Sequence, residues 1–291
     1  LENIMSEKFS YTFSGDANEM DSQEYEDFLK GHEVYHEFIR KSLKENEKLI
    51  KRKITETLED LPMPEEESNE FAGLFVHGGH YELKIEEVEL PFSTFRKFSK
   101  KKYPVHFFYH ENSEFSNEAI EYLQKEYPPI NVINIHKLDS FHLYNDFMVY
   151  EAFQSLPEEA ERVVTFQTDG FFKRSGWEDW INEHDPDYVG APWVVPEELR
   201  KFKNGEYILV GNGGFSFRKK SKILEASKHL TKDFIKQMEA SRNGVKMPED
   251  FALSLIGFRE GIFKNIDHDL AKDFSCEPYN DIYGFGFHRF I

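Results

Sequence analysis

Val163-Val164-Thr165-Phe166 is a short apolar run that stops at Gln167-Thr168-Asp169-Gly170. A β-branched and aromatic run bounded by a polar, glycine-bearing turn predicts an interior strand of an α/β sheet. Such sheets bind ligands in the crevice beyond the carboxyl ends of their strands. The turn after Phe166, and Asp169 in particular, is therefore the first candidate for a site.

Upstream, Val105-His106-Phe107-Phe108-Tyr109 and Val132-Ile133-Asn134-Ile135 read as further strands, separated by a helical stretch from Asn117 to Tyr127. Asn145 to Leu156 reads as the helix before the Val163 strand. Strand, helix, strand, helix, strand predicts a mostly parallel central sheet flanked by helices. Downstream the pattern loosens into a Gly-rich strand from Val210 to Arg218 and helices near Ser221–Leu230 and Pro248–Gly257. Before this domain, apolar residues from Phe28 to Leu61 recur at steps of three, four or seven, which is helical spacing. Pro62-Met63-Pro64 and the acids after it end that pattern. We place a boundary near residue 70, between a helical arm (1–69) and an α/β domain (70–291). The arm has few core residues, so packing on its own domain, self-association or docking to a neighbouring module are its expected uses.

The 291 residues carry 36 basic and 54 acidic side chains, a net charge of −18. That charge opposes attraction to nucleic acid and anionic lipid. An anionic nucleotide bound by such a chain gains from a bridging divalent cation. Cys276 is the one cysteine, so disulfides within the chain and cysteine-built zinc clusters are excluded, and a reducing, cytoplasmic setting is expected. No apolar run reaches membrane-spanning length.

Four more segments carry candidate chemistry. Tyr188-Val189-Gly190-Ala191-Pro192-Trp193 ends in a large aromatic that lines a ligand site or fills the core. Gly211-Asn212-Gly213-Gly214-Phe215-Ser216 packs glycines where backbone passes close to something, either a ligand or the other strand of a bulged hairpin. Pro248-Glu249-Asp250 has the form of a helix start, with acids that suit the helix dipole whatever the function. Gly284-Phe285-Gly286-Phe287-His288 ends in a lone histidine almost at the end of the sequence, which would ordinarily face solvent or be satisfied in the core. Asp169 itself fits a turn former or cap equally well.

The set QTD, YVGAPW, GNGGFS, PED and GFGFH, in that order, resembles a glycosyltransferase-like family with a GT-A-type core, over roughly residues 100 to 291. The resemblance implies a GT-A-like, Rossmann-like α/β domain. It further implies transfer of a sugar from a nucleotide-sugar donor, a UDP-sugar, to a hydroxyl of a glycan or other acceptor, as in polysaccharide biosynthesis. Gln167 stands where the first Asp of a DxD motif would lie and approaches the ribose; Gln is a poorer metal ligand than Asp. The resemblance implies that Asp169 and His288 would hold a divalent metal, Mn or Mg, and assigns the roles that follow. Asn212, Gly213 and Gly214 cradle the donor, Trp193 lines the acceptor site, and Asp250 is the general base with Glu249 beside it. Loss of metal chemistry at Gln167 would instead leave a non-catalytic nucleotide- or glycan-binding module.

Two decoys compete. His32-Glu33-Val34-Tyr35-His36 fits HExxH, the pattern of a zinc hydrolase, but sits in a charged stretch without the apolar burial that excludes water around a catalytic zinc. His77-Gly78-Gly79-His80 is similar to an esterase oxyanion loop, yet the chain has no GxSxG, and a Gly-rich turn is the better reading.

Overall fold

The structure is a computed structural model that describes residues 51–78, 81–110, 118–192, 211–241, 248–264, 266, 268–276 and 284–288. Within these, the backbone alone is described for 237–241, 268, 269, 287 and 288. Trp193 and the HExxH stretch lie outside the described residues.

The central sheet has six strands. β1 (Ala72–His77), β2 (Val105–Tyr109), β3 (Ile130–Asn134) and β4 (Arg162–Phe166) run parallel in the spatial order β3-β2-β1-β4. β7 (Phe215–Lys219) adds to β4 antiparallel, and β6 (Tyr188–Gly190) to β7 antiparallel, so among the six only β7 runs against the rest. The expected α/β architecture with a mostly parallel sheet is the one observed. β1, β2 and β4 are almost wholly buried, which is why they read as continuous apolar runs, whereas edge strand β3 is half exposed. A second small sheet joins β5 (Gly170–Phe172), β9 (Gly286–His288) and β8 (Ser275–Cys276).

Helix α1 (51–59) buries Ile54 and Leu58 in the same core as the sheet, and Lys97 Nζ donates to the Leu58 carbonyl at 2.5 Å. α2 (Ile85–Lys97) follows β1, and α3 (Glu118–Glu126) follows β2. Phenylalanines of α2 and of the strands build an aromatic core: Phe95 of α2 stacks on Phe166 of β4 at 5.3 Å, and Phe75 of β1 meets Phe107 of β2 edge-on at 5.0 Å. Arg96, also buried, donates to the carbonyls of Tyr103, Tyr127 and Pro129 and so ties the starts of β2 and β3 to α2. Burial lowers its pKa to about 10 against the opposing charge of Glu67.

The helix before β4 begins earlier than its spacing predicts. α4 (Phe141–Asp146) is capped by Ser140, whose side chain accepts the Leu143 N–H, and it widens into a π-turn at Phe147–Glu151. The remaining helices are α5 (Trp177–His184), α6 (Lys220–His229), α7 (Lys232–Ser241), α8 (Glu249–Arg259) and α9 (His268–Phe274). Among the described residues no helix is long and apolar enough to cross a membrane.

Candidate functional site

The chain runs from β1 outward to β2 and β3, then returns to the other side of β1 as β4. The strand order therefore reverses between β1 and β4, and the carboxyl ends of those two strands flank a cleft of about 330 Å³. His77, Tyr81, Phe141, Tyr144, Gln167 and Thr168 are among its walls. His77 is buried with Nε2 2.9 Å from the Tyr81 carbonyl, so the first half of the HGGH segment is part of the cleft wall. Tyr81 hydrogen-bonds Thr168; burial, then the charges of Glu87 and Asp169, raise its phenol pKa.

Gln167 leaves the end of β4 and donates from Nε2 to the Tyr144 hydroxyl at 2.7 Å. Tyr144 is held above the usual phenol range by burial and next by the charge of Glu249, with Arg218 opposing and Asp250 adding to the rise. One tyrosine thus links the cleft to the acidic pair. Its neighbour Asn145 reaches the same pair, accepting the Glu249 backbone N–H on Oδ1 at 3.0 Å. The motifs did not announce either residue; both come from the helix that begins before its apolar spacing does.

The Gly-rich segment lies against the turn after β4. A Cβ on Gly170 would sit 2.5 Å from the Gly214 carbonyl oxygen, and one on Gly190 would sit 2.2 Å from that of Asn212. Asn212 Oδ1 accepts the Gly214 N–H at 3.1 Å, and Asp250 Oδ2 accepts the Gly213 N–H at 2.9 Å. Asp250 Oδ1 also accepts the Phe251 N–H at 2.6 Å. Glu249 pairs with Arg218 at 3.1 Å, with side chains 6 % and 0 % exposed. Burial lowers the basicity of Arg218, but the charges of Glu249, Tyr188 and Asp250 outweigh it and keep its pKa above the ordinary value.

Register brings the last motif to the same place. β5 and β9 pair antiparallel with Gly170 opposite His288, so the His288 backbone stands one residue from Asp169 across the ladder. A Cβ on Gly286 would fall 1.7 Å from the Phe215 ring, which packs the GFGFH strand directly on GNGGFS. Among the described residues no group of three or more His, Cys, Asp or Glu is placed to hold a metal. Asp169 offers one carboxylate and His288 a backbone position next to it in register, a pair too small to enclose a cation by itself.

Gly213→Ala tests how tightly these segments meet. The added methyl would lie 2.6 Å from both Arg218 Nη2 and Glu249 Oε1, and neither can withdraw from a buried ion pair. Urea denaturation should show a loss of about 1–3 kcal/mol, the range for overpacking a filled site.

Residues 129–288 match the model of DUF5672, described as a protein of unknown function. The chain belongs to the DUF5672 family. Comparison with the curated proteins finds no match. Among solved structures, this DUF5672 chain is similar to mouse xyloside xylosyltransferase 1 in its apo form, at 14% identity and TM-score 0.49, covering 75% of this chain and 97% of that one. It is likewise similar to an active-site mutant of LgtC, at 13% identity and TM-score 0.49, covering 75% and 86%. Core-mannan synthase A from Aspergillus fumigatus, in a Mn/GDP form, is similar at 11% identity and TM-score 0.43, covering 68% and 74%.

Proposed function

We propose that this domain transfers a sugar from a nucleotide donor, a UDP-sugar, to a hydroxyl of a glycan or another acceptor, in cytoplasmic polysaccharide biosynthesis. The observation that supports the reading is the meeting of segments 167–170, 212–214, 249–250 and 286–288 beside the cleft at the strand-order reversal. In this proposal the cleft takes the nucleoside, with Gln167 at the ribose and the Asn212–Gly214 segment under the sugar. Asp169 and His288 are the residues that would hold a divalent ion, which when bound offsets the charge of the leaving diphosphate. Asp250 takes the proton from the acceptor hydroxyl. Glu249 is engaged with Arg218, so the base role goes to Asp250. Trp193 stays a proposed acceptor contact, and the arm before residue 70 a proposed surface for self-association or a neighbouring module.

A thermal-shift panel of UDP, GDP, UDP-glucose and UDP-galactose, each with and without Mn²⁺, tests this. A ligand that prefers the native state raises Tm, by about 2.7 kcal/mol of stabilisation at a hundred times Kd. The expected result is a UDP-series shift that grows with Mn²⁺ and loses that increment in Asp169→Asn. A shift indifferent to Mn²⁺, without UDP release, would favour a non-catalytic binding module. Gln167 donating to Tyr144 is the observation that keeps this second reading in play. No shift with any nucleotide would remove both.

A further inference from the structure

A fully buried cation lies behind the Gly-rich segment. Arg218 is the fourth residue of β7, flanked in register by Val163 of β4 and Tyr188 of β6, and its side chain is 0 % exposed. Nε donates to Ser216 Oγ at 3.0 Å, while Nη2 reaches Glu249 Oε1 at 3.1 Å and the Gly213 carbonyl at 3.4 Å. The Tyr188 ring lies 5.0 Å from the guanidinium carbon. A buried ion pair is weak support for stability, since desolvating both charges offsets most of their attraction and apolar residues of similar volume fill such a site as well. Stability alone therefore does not account for this pair.

Its geometry suggests a different role. Both backbone polar groups of Gly213 are held, its carbonyl by Arg218 and its N–H by the Asp250 carboxylate at 2.9 Å. Glu249, the other partner of Arg218, is the residue next to Asp250 in α8, and its backbone N–H is fixed by Asn145. We propose that Arg218 is the positioning residue for Asp250, setting that carboxylate's orientation through the Gly213 backbone and through Glu249. The catalytic consequence rests on the glycosyl-transfer reading; the positioning itself does not.

The single substitution Arg218→Met leaves Glu249 buried without its cation and risks misfolding, so the test uses the pair Arg218→Met with Glu249→Met, which removes both charges. Arg218→Lys serves beside it, keeping the charge and losing the planar fork. Two readouts are taken on the full chain. The first is UDP release from UDP-glucose and UDP-galactose with Mn²⁺. We expect kcat to fall about 100-fold with KM within a few-fold in both variants, the effect of misplacing a catalytic group by an ångström. The second is the Gly213 amide resonance in ¹⁵N-glycine-labelled protein, followed against pH. Its inflection reports Asp250 ionisation and should vanish in Asp250→Asn. Among the described residues, the charged or titratable groups facing Asp250 include Glu249, Arg218, Tyr144 and Tyr188. In both Arg218 variants that inflection should lose at least about half its amplitude as the Gly213–Asp250 bond loosens. A folded double variant with the wild-type Gly213 inflection overturns the proposal, whatever its activity. A reduced inflection in a chain whose wild type releases no UDP upholds the positioning and sinks the glycosyl-transfer reading instead.

Discussion

If the proposed transfer reaction is this domain's, Asp250→Asn is expected to lower it by about 10³-fold while leaving the fold in place. The amide is nearly isosteric with the carboxylate, and its one oxygen can still accept the Gly213 N–H that Asp250 Oδ2 accepts, while the Phe251 N–H that Oδ1 accepts loses its acceptor at a cost of about 1 kcal/mol. Tm should therefore move by only a few degrees. What disappears is the proposed proton acceptor, and general-base catalysis contributes about 10²–10⁴-fold. Glu249 is a poor substitute although it is adjacent, because its carboxylate is buried and engaged with Arg218. The diagnostic pattern is a fall in kcat and in kcat/KM together, with the UDP-induced thermal shift retained, since the interaction removed is made with the acceptor in the transition state. A variant with wild-type turnover would place the base elsewhere.

The parts of this site legible in the sequence are those where one residue type has few structural uses. The Val163–Phe166 run read correctly as an interior strand because a strand buried on both faces must be apolar throughout. The glycines of GNGGFS and GFGFH announced a close approach. The structure supplies the partner: Gly170 meets the Gly214 carbonyl and Gly286 meets the Phe215 ring, so each motif is packed on the next. Other features were hidden for physical reasons. β1 ends at one side of the cleft, but its Ala72–His77 run is bracketed by charged and glycine-rich segments that give no clear period. α2 contains Pro91, which reads as a breaker yet sits in the middle of the helix. Tyr144 was invisible because α4 opens at Ser140, ahead of the apolar spacing, and then widens into a π-turn. Arg218 looked like an ordinary basic residue near a strand end. The only clue was alternation along β7, which sets Arg218 on the same face as Ser216, inside rather than outside.

Arg218→Met alone will be the most destabilising of the substitutions proposed, at about 3–5 kcal/mol. The cost comes less from the attraction lost than from what is left behind: a Glu249 carboxylate 6 % exposed, without the cation that made its burial tolerable. The double replacement with Glu249→Met should therefore be more stable than the single one, a coupling that equilibrium urea denaturation of the four members of the cycle measures directly. The pH dependence follows from the same physics. Without Arg218, burial raises the folded-state pKa of Glu249 above its unfolded value of about 4.3, so between those two values the native state binds more protons than the unfolded chain. Stability of the single variant then falls as pH rises through that window, and its deficit against wild type shrinks as pH is lowered towards about 4. If the single variant lost under about 1 kcal/mol at pH 7, with no such pH trend, Glu249 would have to be solvated, and the tight convergence of the Gly-rich segment on α8 would be wrong.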